Sequence, residues 1–185
     1  MELLLGCGSS RERRIGIAGR KDWTRLVTLD FVDTHKPDVV HDLDVYPWPF
    51  PDNTFQEVHG YELVEHLGRQ GDFRAFLAFF SEVWRILKPG GVFAGTCPSW
   101  RSMWAWGDPG HTRVVTSGSL AFLSQQEYAA QVGVTPMSDY RPWFAADFNP
   151  QVLVEDEVRF VFALHVVKPA RKFPLDSIPK GVPKL

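Results

Sequence analysis

Three groups of residues in this sequence have types and spacings suited to chemistry. The first is Gly6-Cys7-Gly8, which follows an apolar run (Glu2-Leu3-Leu4-Leu5), with an acid, Asp30, about twenty residues further on at the end of Leu26-Val27-Thr28-Leu29-Asp30. A strand running into Gly-x-Gly, with a carboxylate closing the next strand, is the layout of a nucleotide-type site. The glycines admit a ligand close to the backbone, and the carboxylate can accept hydrogen bonds from ribose hydroxyls. Arg11 stands where a dinucleotide fingerprint has its third glycine, which argues against a pyrophosphate seated on a helix N-terminus. A ligand with a ribose and no phosphate fits better.

The second group is a pair of histidines. His66 lies in Glu65-His66-Leu67, and His111 in Asp108-Pro109-Gly110-His111-Thr112-Arg113. Either imidazole could take a proton from an acceptor. The plainer alternatives are helix packing for His66 and a loop hydrogen bond for His111. The third group is Trp100, Arg101, Met103, Trp104 and Trp106 in a predicted loop. Aromatic surface of that size is costly to leave in water. It could close over a ligand as a lid, pack on the domain, or hold a flat or apolar acceptor. Arg101 and Arg113 could pair with an acidic group on that acceptor. No zinc-type Cys/His spacing is present, and no metal is expected.

The elements that must position these residues alternate. Strands are predicted at Glu2–Leu5, Leu26–Leu29, Val39–His41, Glu57–Gly60 and Gly91–Cys97, with helices at about Ser10–Arg20, Asp72–Leu87 and Ser117–Val132. Two closing strands are predicted near Met137–Arg141 and Val158–Val167. Such alternation implies an α/β fold with a parallel sheet and helices on both faces. Ala75, Phe76, Phe79, Phe80, Val83, Trp84 and Leu87 recur at helical spacing and mark a core-facing stripe, while Pro89-Gly90-Gly91 is turn chemistry.

The chain has 185 residues, enough for one domain with a tail, and 44% of them are hydrophobic, ample for a core. A net charge of −2 supplies no basic field to attract nucleic acid. The two cysteines, Cys7 and Cys97, each end a predicted core strand, so reduced buried thiols in a cytoplasmic protein are expected. No apolar run is long enough to span a bilayer, and the first strand does not read as a signal peptide. The domain is expected over residues 1–168, followed by a proline-rich basic tail, 169–185. The tail is either extended and frayed, or a strap held by Phe173 and Leu175.

In order and spacing, the Gly6-Cys7-Gly8 turn, Asp30, the Asp42-Leu43 pair, the Tyr46–Asp52 proline loop, Glu65-His66-Leu67 and Leu87-Lys88-Pro89-Gly90-Gly91 resemble the class I S-adenosylmethionine-dependent methyltransferases, in particular the methyltransferase type 11 group. The resemblance spans roughly Leu3 to Thr116, and more weakly to Phe162. It implies a Rossmann-like, doubly wound, seven-stranded sheet, mostly parallel, with an antiparallel last strand inserted beside the edge. It also implies S-adenosyl-L-methionine as cofactor. Gly6, Cys7 and Gly8 would pass beneath the methionine and ribose, Asp30 would hold the ribose hydroxyls, and Phe31 would stack on adenine. Asp42 and Leu43 would meet the adenine edge, and Glu62 would lie near the methionine amino group or the transferred methyl. Three positions depart from the pattern: Leu4 replaces a common acid, Ser10 the third glycine, and Gln56 the acid after Phe55.

Methyl transfer from a sulfonium is a direct displacement, so alignment, dehydration and proton removal are the protein's tasks. The reading that follows is a methyltransferase acting on a small-molecule or sugar-type acceptor, with His111 and His66 as candidate bases. Methylation of a protein or peptide, and a non-catalytic binding module on the same fold, remain alternatives. Gly60-Tyr61-Glu62-Leu63 stands where amino-methylating DNA enzymes need Asp/Asn-Pro-Pro-aromatic, so no DNA partner is expected. No membrane partner is expected either. The tryptophan segment, the tail, or a second subunit in a homodimer are the candidates to cover the site.

Overall fold

The computed structural model describes residues 1–173. Seven strands form one sheet: β1 (Glu2–Leu5), β2 (Leu26–Asp30), β3 (Val39–Val40), β4 (Phe55–Tyr61), β5 (Leu87–Pro98), β6 (Phe148–Glu155) and β7 (Arg159–Val166). Their spatial order is β3-β2-β1-β4-β5-β7-β6. The chain therefore winds outward in both directions from β1, in a Rossmann-like arrangement, and the reversal leaves a crevice where β1 and β4 end. The pairings among β1 to β5 are parallel. The last strand, β7, is antiparallel to both β5 and β6 and lies inside the edge.

The long helix α1 (Phe73–Ile86) starts where Asp72 caps it by accepting from the Ala75 N–H at 3.0 Å. It buries Leu77, Phe79, Phe80, Val83 and Ile86. These pack with Leu3, Leu5, Phe93, Phe160, Phe162 and Leu164 from alternate strand positions, as the two-residue period of a strand demands. The core is close to its steric limit at Gly95, where an added Cβ would sit 2.5 Å from Cζ of the fully buried Phe162 ring. Gly95→Ala is therefore expected to destabilise the fold by ~1–3 kcal/mol, the usual cost of overpacking. Urea unfolding would show it, and an unchanged midpoint would mean that the ring can move.

Four expected elements differ. No helix forms at Ser10–Arg20. Instead the segment makes a tight turn with a bridge between Ile17 and Arg20, through Ala18 and Gly19 at φ +51° and +76°. Arg11 reaches back to the carbonyls of Gly8, His35 and Lys36, and Arg13 inserts beneath the loop. As a result the helical side chains of α1, α3 (Ser117–Ala121) and α4 (Gln125–Gln131) all join the larger core. The opposite face of the sheet, at Leu4, Tyr61 and Ala94, is covered by Ile15, Ile17 and Trp23 of this loop.

The helix expected over Ser117–Val132 is two helices. Thr116 and Ser119 form a capping box for α3, and Ser124 caps α4 by accepting from Glu127. Between them Leu123 is drawn to the sheet, where its carbonyl accepts from the Phe148 N–H at 3.0 Å. The strand expected at Met137–Arg141 is irregular chain, held locally by an Asp139–Arg141 ion pair of 2.7 Å, and the edge strand is Phe148–Glu155. In the tryptophan segment, expected as loop, Met103–Gly107 is a short helix, α2, capped by Ser102.

The start of the tail is held. Lys168 Nζ donates to Asn53 Oδ1 and to the Arg85 and Leu87 carbonyls, and Arg171 pairs with the buried Asp147 at 2.7 Å. Phe173 is half-exposed. Leu175 and the rest of the expected strap, residues 174–185, lie outside the described residues.

Candidate cofactor and acceptor site

The crevice holds a cavity of about 600 Å³. Gly6, Gly8, Asp30, Phe31, Asp42 and Leu43 line it, together with Leu63, His66 and Gly110. Gly6 and Gly8 take φ +56° and +51°, a region that side chains disfavour. A Cβ on Gly6 would meet Leu63 Cδ1 at 2.8 Å, while the space over Gly8 is open.

Asp30 is buried at the end of β2 and ties the turn together. One carboxylate oxygen accepts from the Gly8 N–H at 2.8 Å, and the other from the Val32 N–H at 2.9 Å. His35 Nδ1 lies 3.4 Å away. Burial pulls the Asp30 carboxyl up, but the backbone donors of Val32 and Gly8, together with His35, outweigh it and hold it below its ordinary value. The oxygen that meets Gly8 keeps a second lone pair for a ligand hydroxyl, while the other is shared between Val32 and His35. Three carboxylates, Asp30, Asp42 and Asp44, line the cavity, and among the described residues no Lys or Arg does. Such a wall disfavours phosphate and favours a ligand that carries positive charge. S-adenosylmethionine, with a ribose, an adenine and a sulfonium, fits it.

The other sequence-selected residues are placed differently. The Cys7 side chain turns away into the small cluster on the far face. Glu62, at φ +48°, lines a separate cavity of about 400 Å³ with Arg14, Thr96 and Arg159. Arg101 pairs with Glu155 at 3.2 Å and lies over the Trp100 ring. Arg113 donates to the carbonyls of Leu67, Arg69 and Asp72 and lies over Phe76, so its guanidinium clamps the loop before α1. Trp100, Trp104 and Trp106 are exposed. None of them lines the cofactor cavity, but Trp100 and Trp106 border a cavity of about 500 Å³ with Gln70, Val114, Thr116 and Ser119.

His66 and His111 come together, their rings edge to face with centroids 4.7 Å apart. Sequence reasoning passed over two neighbours: His35 beside Asp30, and Glu65 beside the histidine pair. Glu65 had a signal, since it adjoins His66. Its burial depends on the short 3-10 turn Val64–His66, which the sequence does not announce.

The model of the type 11 methyltransferase domain family matches residues 3–95, half of the chain. The chain belongs to that family of class I S-adenosylmethionine-dependent methyltransferases, and its cofactor is S-adenosylmethionine. Among solved structures, it is similar to a SAM-dependent methyltransferase from Archaeoglobus fulgidus (14% identity, 89% of this chain and 85% of that one, TM-score 0.54). It is also similar to one from Aquifex aeolicus (15% identity, 90% and 81%, TM-score 0.52). At these identities the likeness is one of fold. No curated protein sequence matches the chain. Among the described residues, no helix is long and apolar enough to cross a membrane.

Proposed function

We propose that this chain transfers a methyl group from S-adenosylmethionine to a small-molecule or sugar-type acceptor. The observation that carries this reading is the cavity at the Gly6–Gly8 turn, lined by Asp30, Asp42 and Asp44 and bordered by His66. The cofactor supplies the electrophilic methyl. Asp30 holds the ribose hydroxyls, Phe31 offers a stacking face, and Asp42 with the Leu43 backbone meets the adenine edge. Leu63 fixes the close approach at Gly6. His66, which borders the cavity, and His111, whose ring packs against it, would take a proton from an acceptor hydroxyl, and the cavity bordered by Trp100 and Trp106 has the size and aromatic lining for a compact acceptor.

The experiment is calorimetric titration of the protein with S-adenosylmethionine and, separately, S-adenosylhomocysteine. Micromolar binding is expected. Absence of binding at millimolar concentration would replace this reading with that of a non-catalytic module.

A further inference from the structure

Beside the cofactor cavity, Glu65, His66 and His111 each direct one ligand atom into a common space, and the three atoms lie within 4.8 Å of one another. We propose that this cluster is a binding site for a divalent transition metal, with Zn²⁺ the best match to its donors.

The polar accounting of Glu65 points to a ligand. Its side chain is buried, and among the described residues neither carboxylate oxygen has a hydrogen-bond partner. A buried carboxyl without partners is costly. Its backbone is fixed, because the Glu65 carbonyl accepts from the Thr112 and Arg113 N–H groups at 2.8 and 3.2 Å, so the side chain cannot leave by a shift of the turn. A cation there would supply the missing partner.

The histidines are arranged as metal-binding imidazoles usually are. His66 Nδ1 lies 3.0 Å from the Gly110 carbonyl oxygen, and His111 Nδ1 lies 2.8 Å from that of Trp104. A carbonyl only accepts, so each Nδ1 carries the proton and each Nε2 presents a lone pair. Backbone partners that fix the tautomer and orientation in this way are the usual outer support of a metal site. Two imidazole nitrogens and one carboxylate oxygen suit Zn²⁺, whereas Mg²⁺ and Ca²⁺ prefer all-oxygen shells. Side-chain rotation would have to bring the donors to ~2.0–2.2 Å from the ion.

Three protein ligands leave a coordination position open, as in catalytic rather than structural sites. His66 and Gly110 also form a wall of the cofactor cavity. On the methyltransferase reading proposed above, the open position would take an oxygen of the acceptor; with the ion bound, the two imidazoles act as its ligands in place of bases, and the ion's charge would make the acceptor hydroxyl more acidic. Metal binding itself does not rest on that reading.

The test uses the intact, chelator-treated chain. Calorimetric titration with Zn²⁺ alone should show one ion per chain, and Co²⁺ should give the intense visible bands of four- or five-coordination. His66→Ala, on an exposed ring, and Glu65→Gln should each weaken Zn²⁺ binding by at least ~100-fold, beyond the ~10–100-fold typical of outer-shell changes. His165→Ala, on the exposed side of β7, should leave it unchanged. No saturable binding, or equal affinity in His66→Ala and wild type, would overturn the proposal. S-adenosylhomocysteine titrated in parallel separates the two readings. Its failure with Zn²⁺ binding intact sinks only the cofactor reading, and the reverse sinks only the metal.

Discussion

Arg13→Met should lower the unfolding free energy by about 3 kcal/mol, the low end of the ~3–5 kcal/mol lost when one partner of a buried ion pair is removed. Arg13 and Glu57 are both buried and meet at 2.5 Å. Glu57 lies next to Glu2 across the β1–β4 register, so two buried carboxylates share this face of the sheet. Arg13 also stacks over Trp23 and donates to the Ile15 carbonyl, fastening the loop that stands where a helix was expected. Arg20 also pairs with Glu57, and His59 Nε2 lies 3.0 Å from it. These remaining partners place the effect at the low end of the range. Urea melts would measure it, and a loss below 1 kcal/mol would show that Arg20 and solvent suffice.

The same network makes stability depend on pH. Burial, and then the charge of Arg13, hold the His59 imidazole down to about 3. Its neutral ring donates from Nε2 to Glu57 and accepts the Tyr61 hydroxyl at Nδ1, 2.7 Å away. The unfolded chain protonates this histidine near ~6.5, and the folded one does not until about pH 3. Its contribution is therefore complete above ~6.5 and falls with pH by up to ~1.4 kcal/mol per unit across that window. His59→Gln should flatten this slope. Arg13→Met should narrow the window from below, because removing the guanidinium lets the imidazole protonate earlier.

Much of the fold was legible because its signals are local. Leu3 and Leu5 alternate with Leu4, the α1 stripe repeats at helical spacing, and glycines and carboxylates mark strand ends. The Gly6–Gly8 turn with Asp30, Phe31, Asp42 and Leu43 gathers in one cavity because all of them sit at the carboxyl ends of neighbouring parallel strands. The missed elements depended on distant partners. Arg13 belongs to Glu57, which no pattern in residues 10–20 reveals, although Glu57, His59 and Tyr61 at alternate positions of one strand do mark a polar stripe. Pro150 disguised β6, since proline is tolerated in a strand chiefly at a sheet edge, and the edge position was not deducible. The break before α4 did carry a signal: Ser124 followed by Glu127 is the start signature of a new helix. Arg101 and Arg113 looked available to an acceptor, but their guanidinium groups are engaged by Glu155 and by backbone carbonyls, which only the folded loops bring near.

Asp30→Ala should weaken S-adenosylhomocysteine binding at least ~10-fold and, if both ribose hydroxyls bond the carboxylate, ~100-fold or more, since hydrogen bonds to a charged group contribute ~1.5–3 kcal/mol each. Two effects combine. The alanine removes the acceptors, and it also frees the Gly8 N–H, which the carboxylate now holds at 2.8 Å. Asp30→Asn separates them. An amide keeps one carbonyl acceptor for a backbone N–H but presents an NH₂ group to the other, so an intermediate loss assigns the larger share to the ribose. Because the folded environment holds Asp30 below the ordinary carboxylate value, wild-type affinity should stay flat on acidification until the pH falls beneath that ordinary value. An affinity that falls at higher pH would show that Asp30 is not the controlling group. Unchanged affinity in Asp30→Ala would reduce Asp30 to a backbone tie for the glycine turn and shift the ribose contact to Asp42 or Asp44, the remaining carboxylates of the same wall.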